Sequence, residues 1–207
     1  MTFEGIEGSG KTFQSKKLFK KIKSIGLHAI YTREPGGTRA AEKIREVILK
    51  DYFFPDSKEK FNKYTDTLLY LAARSEHIEK KIKPAILKKK IIICDRFIDS
   101  TLAYQVDGKG VSKLLVNAVH KYILKGVKVN LTFILKTNIS KAMQRINKRK
   151  KKNRYDKFSK NFYIKVQDAF IKIAKKNARR YCIVDNSQDS VETENIIFDK
   201  FMQRLNK

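Results

Sequence analysis

Gly5 to Thr12 reads GIEGSGKT and matches the phosphate-binding loop pattern G-x-x-x-x-G-K-S/T at every specified position. The pattern constrains the fold because it works only between a strand and a helix. Glycines reach positive φ values that side chains forbid, so successive backbone N–H groups converge on phosphate oxygens at a helix N-terminus. In that setting Lys11 reaches the β and γ phosphates, and the Thr12 hydroxyl holds Mg²⁺. The helix opening at Lys11 adds the positive end of its dipole. Its continuation, FQSKKLFKKIKSI, puts Phe13, Leu18, Phe19, Ile22 and Ile25 on one face at helical spacing, and Gly26 stops it. Only Met1 to Glu4 remain for the strand ahead of the loop. The full strand is therefore expected to begin upstream, with this chain trimmed or begun at a late start codon.

A chain of 207 residues builds one sizeable α/β core and is short for two. Hydrophobic residues at 42% and aromatics at 11% place it among globular proteins. The formal net charge of +26 taken alone points to nucleic acid or an anionic surface. The lysines, however, are spread through every segment opposite apolar stripes. No recognition motif or basic face interleaved with aromatics accompanies them. They read as solvated helix surface, with no nucleic-acid partner. Cys94 and Cys182 both lie in apolar runs and read as small core residues of a reducing cytosol. No charged-then-apolar leader opens the chain and no apolar run reaches membrane-spanning length, so a soluble cytoplasmic protein without a membrane partner is expected.

Strand and helix patterns alternate along the rest of the chain. LHAIY, Leu27 to Tyr31, predicts a strand; the turn TREPGGT follows, with Thr38 as cap of a helix through Ala40, Ile44, Val47 and Ile48. Tyr52 to Lys63 shows no clear period and reads as a loop leading into a helix. Thr65 to Ile82 has the spacing of one long helix ending near Pro84. Tyr70 and Arg74 share one face of it. They suit a flat heterocycle, by stacking and by hydrogen bonds to its edge, although from this spacing alone a core aromatic beside a surface arginine is the commoner reading. Ile91 to Arg96, IIICDR, reads as a strand buried on both faces of a parallel sheet, its carboxyl end opening on the ligand crevice. Asp95 then stands like a Walker B aspartate near the metal, and Arg96 beside it suits an anion. FIDSTLAYQVDGKG brings Ser100, Thr101, Tyr104 and Gln105; a helix over Val111 to Lys125 and a strand over Val129 to Leu135 follow. Thr137 or Asn138 can cap the next helix, through Ala142, Met143 and Ile146. Lys148 to Lys157 is the densest basic run; such blocks are usually solvated or mobile, but as a lid over polyphosphate this one has somewhere to put its charge. A helix from Ser159 to Lys176, a strand from Tyr181 to Asn186 and a helix from Val191 to Leu205 close the chain. The prediction is an α/β protein of the P-loop NTPase fold, a five-stranded parallel sheet flanked by helices on both faces. It forms a single domain over 1–207 with a lid at about 148–157. His28, His77 and His120 have no motif around them and read as incidental.

EGIEGSGKT, TREPGGT, YLAAR and DRFIDSTLAYQ stand here in the order and approximate spacing of the nucleoside monophosphate kinases. Over residues 3 to about 186 the chain resembles the thymidylate kinase family among them. The loop positions hold Gly8 and Ser9 and the lid carries Arg149 and Arg154, as in the bacterial kind that keeps its arginines in the lid. The resemblance implies ATP on Gly5, Ile6, Glu7, Gly8, Ser9, Gly10, Lys11 and Thr12, with Mg²⁺ on or near Thr12 and Asp95. It implies dTMP on Glu7 (3′-hydroxyl), Arg45 and Arg96 (phosphate), and Tyr70, Arg74 and Thr101 (thymine). Tyr104 crowds the position of a ribose 2′-hydroxyl and Pro35 packs near the base. The family often has phenylalanine where Tyr70 stands. Lys11, Arg96 and Arg149 are the catalytic cations this implies, Asp185 to Asp189 borders the adenine, and the protein is a homodimer. A guanine-specific reading has no N/T-K-x-D sequence to support it.

Overall fold

The computed structural model describes residues 1–50, 60–188 and 190–205. Its centre is a five-stranded, all-parallel sheet: β1 (Thr2–Glu4), β2 (Ala29–Arg33), β3 (Ile91–Asp95), β4 (Thr132–Lys136) and β5 (Tyr181–Asp185), in the order β2-β3-β1-β4-β5. β1 needs only three residues because it is central: Thr2 pairs with Cys94 on one side and Thr132 on the other. The strand the phosphate loop requires is thus formed within the residues at hand. β2 lies two residues later than its apolar pattern suggests, because parallel pairing with β3 sets its register, Arg33 opposite Asp95.

Helices cover both faces. α1 (Lys11–Ser24) and α9 (Val191–Leu205) bury Leu18, Ile22, Ile197 and Phe201 against Phe3, Phe133 and Val184. The expected stripe of α1 is narrower than predicted, since Phe13 and Ile25 lie at its ends and stay about half exposed. On the other face α7 (Ile139–Asn147) and α8 (Lys160–Lys175) bring Ile146, Val166 and Phe170 against Ile6, Tyr104 and Ile134. Asn138 supplies the cap of α7, accepting from the Lys141 N–H at 3.2 Å. Cys94 is buried in β3 and Cys182 half-buried in β5.

The long helix does not stop at Pro84. α3 (Lys63–His77) widens into a π-helical turn at Ile78–Ile82, and α4 (Lys83–Leu87) continues through the proline. The wider turn breaks the normal hydrogen-bond ladder just where Pro84 has no N–H to give. After β3, the chain forms α5 (Ile98–Thr101) and a second π-helical turn, Leu102–Gly108, before α6 (Lys113–Leu124), which packs on α3. α2 (Arg39–Leu49) is capped by Thr38, whose hydroxyl accepts from the Ala41 N–H at 3.2 Å. Of the stretch Tyr52 to Lys63, residues 52–59 lie outside the described residues.

Candidate active site

The carboxyl ends of the strands open on one cleft of about 1050 Å³. This is where an open parallel sheet binds ligands, because the connections to either side of the central strand diverge there. Glu7, Lys11 and Thr12 line it, as do Asp95 and Arg96 and the turn after β2.

The phosphate loop runs from β1 into α1. Gly8 sits at φ 73, and a Cβ there would collide with the Ala142 carbonyl. Gly10 at φ 88 is the cap of α1 and has no side chain with which to satisfy the helix N–H groups, which are left for a ligand. Lys11 folds over this loop, its Nζ donating to Ile6 O at 2.6 Å and Ser9 Oγ at 3.3 Å. Burial, with Arg96 nearby, pulls its ammonium down to about 7. Thr12 Oγ1 donates to Asp95 Oδ2 at 2.5 Å, so two oxygen ligands of the kind magnesium takes stand side by side at the helix start.

Arg96 adopts φ 69, a left-handed turn that swings its guanidinium back over the loop. Nη1 donates to Gly5 O at 3.0 Å and Ser100 Oγ at 3.2 Å, and Nη2 to Glu7 Oε1 at 2.8 Å. Tyr104 donates its hydroxyl to the other oxygen of Glu7. Burial works to raise the Glu7 pKa, but Arg96, Lys11 and the Tyr104 hydroxyl outweigh it and hold the carboxyl below its usual range. Beneath them Glu4, fully buried at the end of β1, accepts from the Phe97 N–H at 2.7 Å and the Ser100 hydroxyl at 2.6 Å. Burial first and Asp99 second push Glu4 up to about 7.

The far end of the cleft is built on α3. Arg74 is 2% exposed, and its Nε donates to Glu34 Oε2 at 2.7 Å. The second oxygen of Glu34 pairs with His77 Nδ1 at 2.9 Å, and His77 Nε2 meets Thr32 Oγ1 at 2.6 Å. Arg74 Nη1 reaches Thr101 Oγ1 at 2.8 Å and His120 Nε2 at 2.7 Å. His77 and His120, read as incidental from the sequence, are therefore structural partners of this buried ion pair. The Glu34–Pro35 peptide is cis, and Arg45 Nη1 donates to Pro35 O at 2.8 Å. Tyr70 meets Tyr155 edge-on, ring centres 6.1 Å apart.

All eight residues expected to hold the acceptor nucleotide line this one cleft: Glu7, Pro35, Arg45, Tyr70, Arg74, Arg96, Thr101 and Tyr104. Of the phosphate-loop residues, Gly5, Ile6, Gly8, Ser9 and Gly10 contribute backbone carbonyls to hydrogen bonds, Ser9 adds its hydroxyl, and the Ile6 side chain belongs to the core. Arg149 lines the cleft from the basic run, with Nη1 on Asp156 Oδ1 at 2.6 Å, whereas Arg154 turns onto Asp66 of α3. The basic run is a loop closed by a short 3-10 turn, Arg154–Lys157, capped by Asn153.

Sequence reasoning missed one further part and named another, Gln105, without giving it a role. Arg145 of α7 ties the phosphate loop to the segment after β5, donating to Gly8 O at 3.0 Å, Asn186 O at 3.2 Å and Ser187 O at 3.1 Å. Asn186 itself donates to Ser9 O at 2.8 Å. Within the segment expected to border adenine, Asp189 lies outside the described residues. Gln105 is 2% exposed and lines the cleft, and its Nε2 has no hydrogen-bond partner among the described residues. Its place next to Tyr104 in the STLAYQ segment was the available signal.

The family model described as thymidylate kinase matches residues 3–197. A thymidylate kinase of Sulfurihydrogenibium sp. is 37% identical over 204 residues, covering 99% of this chain and 97% of the relative. One of a Wolbachia sp. from Brugia malayi is 42% identical over 203 residues, covering 94% and 93%. The crystal structure of thymidylate kinase from Ehrlichia chaffeensis superposes with a TM-score of 0.75 at 32% identity, covering 99% of this chain and 96% of that one. With loop, turn and DR segment converging on one cleft, and with likeness of this extent in sequence and in structure, the chain belongs to the thymidylate kinase family.

Proposed function

We propose that this cleft moves the γ-phosphoryl group of ATP onto the 5′-phosphate of dTMP, giving dTDP and ADP. One observation carries the reading. Arg96 binds Gly5 and Glu7 of the phosphate loop while its own segment brings Thr101 and Tyr104 into the same cleft, which supports a cation placed where two phosphate chains would meet.

ATP phosphates take the place of the Ile6 and Ser9 contacts on Lys11 and bind the free N–H groups of the loop. Thr12 and Asp95 are the residues that would hold Mg²⁺, whose part is to offset charge on the transferring phosphates. On the acceptor side, Arg45 and Arg96 grip the 5′-phosphate and Glu7 accepts from the 3′-hydroxyl. Tyr70 stacks on thymine, Arg74 donates to its 4-keto oxygen with Thr101 beside its polar edge, and the unpartnered amide of Gln105 offers one more donor. Pro35 packs near the base. Tyr104, fixed by its bond to Glu7, fills the space a ribose 2′-hydroxyl needs. The acceptor oxygen is already anionic at neutral pH, so alignment and cations suffice and no general base is required. Arg149 leaves Asp156 for the transferring group as the lid, about 148–157, closes and excludes water.

The protein acts as a single domain over 1–207, in the cytoplasm, as a homodimer. Leu68 of α3 and Leu114 of α6 are exposed apolar side chains that a second copy would cover. Among the described residues no helix is long and apolar enough to cross a membrane. The test is an acceptor panel in a coupled ADP-release assay: turnover with dTMP far above that with dCMP, AMP or thymidine is expected. Equal or better turnover with another acceptor overturns the assignment.

A further inference from the structure

Arg74 enters the cleft with its guanidinium almost wholly taken up by the protein. Nε donates to Glu34, Nη1 to both Thr101 and His120, and Nη2 to the Phe97 carbonyl at 2.9 Å. A guanidinium carries five N–H donors. Among the described residues these bonds leave one hydrogen, on Nη2, for a ligand. Glu34, Thr101 and Phe97 line the cleft themselves, but His120 comes from α6, which supplies none of the described lining residues. Arginine cannot accept a hydrogen bond, so Nε2 of His120 must hold a lone pair and Nδ1 the proton. An imidazolium would set N–H against N–H. Burial first and Arg74 second hold the ring down to about 3, so it stays an acceptor at working pH.

We propose that His120 is a positioning residue for the choice of acceptor base: by taking one Nη1 hydrogen of Arg74 it fixes the guanidinium plane and leaves a single Nη2 hydrogen to face the base. This rests on the reading above that Arg74 faces the acceptor base. A lone fixed donor there favours a keto oxygen over an amino group. Discrimination between thymine and cytosine then depends on a side chain that touches neither. Without the imidazole acceptor, a buried N–H loses its partner and the guanidinium tilts to find another.

The test is steady-state kinetics with dTMP and dCMP for His120→Leu, His120→Gln and Arg74→Gln. His120→Leu should raise the dTMP KM about tenfold and lower the dTMP-to-dCMP ratio of kcat/KM by about as much, with kcat and the ATP KM little changed. His120→Gln, whose Oε1 stands near the position of Nε2, should recover most of both. Unchanged dTMP KM and ratio in His120→Leu overturn the proposal, and so does a Gln variant no better than Leu, which would assign the effect to packing. Arg74→Gln separates the two levels. If it keeps full discrimination, the base-facing reading of Arg74 falls and this proposal with it. If it loses discrimination while His120→Leu keeps it, only the role of His120 falls. Nitrogen-15 NMR of the unaltered protein at pH 6 gives a check independent of any variant: a neutral His120 ring with its proton on Nδ1 is expected, and an imidazolium or an Nε2–H ring overturns the proposal.

Discussion

Arg74 at one end of the cleft and Lys11 and Arg45 at the other are held in opposite ways. At the base end, Arg74 is 2% exposed and bound by Glu34, Thr101, His120 and Phe97, with a single N–H left over. At the other end Arg96 is likewise held by a carboxylate, that of Glu7, but Lys11 rests on a carbonyl and a hydroxyl, Arg45 on the Pro35 carbonyl, and Arg149, its side chain 40% exposed, on Asp156. A phosphate oxygen displaces the neutral partners of Lys11 and Arg45 readily, since bonds between ionised groups are shorter and roughly twice as strong. A flat base edge, by contrast, is recognised best by a donor that does not move. Under the roles proposed above, the fixed charge of Arg74 would serve selection, and the exchangeable charges of Lys11 and Arg45 would serve transfer.

The contrast breaks most plainly at Lys11. Lys11→Ala should lower turnover by about 10³ or more, measured with saturating ATP and dTMP; a rate within tenfold of the unaltered protein would mean the phosphate end does not depend on this cation. Glu34→Gln tests the fixed end, because it removes the carboxylate from both Arg74 and His77 in a nearly dry site. A loss of about 3 kcal/mol in urea unfolding is expected. A loss below about 1 kcal/mol would place this end with ordinary surface pairs. Arg149→Ala should cut turnover by about 10² with modest change in either KM. Unchanged turnover removes Arg149 from the mechanism.

The smallest effect sits where the two ends join. Glu4 holds both the Phe97 N–H, whose residue's carbonyl takes Arg74, and the Ser100 hydroxyl, whose oxygen takes Arg96. Its pKa rises from 4.5 to about 7 on folding. Between those values the folded protein keeps a proton that the unfolded chain releases. The stability Glu4 contributes is thus present in full below 4.5 and is lost as pH rises toward 7. Glu4→Gln cannot lose a proton, so its melting temperature should gain on that of the unaltered protein between pH 5 and 8. A constant gap across that range would sink this account of the junction.

Features written in contiguous residues were legible in the sequence: the loop at Gly5 to Thr12, the buried β3 ending at Asp95, the Thr38 cap, and the last helix, Val191–Leu205. What escaped was set by partners far along the chain. Arg74 and His120 are 46 positions apart, and no local pattern marks one as the acceptor of the other. Arg154 carries the same charge as Arg149 in the same basic run, yet Asp66, a helix away, draws it off the cleft. The π-helical turns escaped because their apolar spacing over a few residues matches that of an α-helix, and Pro84 looked like a stop because sequence alone does not show a widened turn ahead of it.

The strand order β2-β3-β1-β4-β5 has an evolutionary corollary. Glu34, Pro35 and Arg45 follow β2 on one wing of the sheet, while Arg145, Asn186 and Ser187, which brace the phosphate loop, belong to connections on the other wing. The wings share β1 and also touch directly, where Tyr155 meets Tyr70 and Arg154 reaches Asp66. Mutation that redraws base preference on the first wing, the role proposed for it, must therefore keep the side chains through which that wing touches the second.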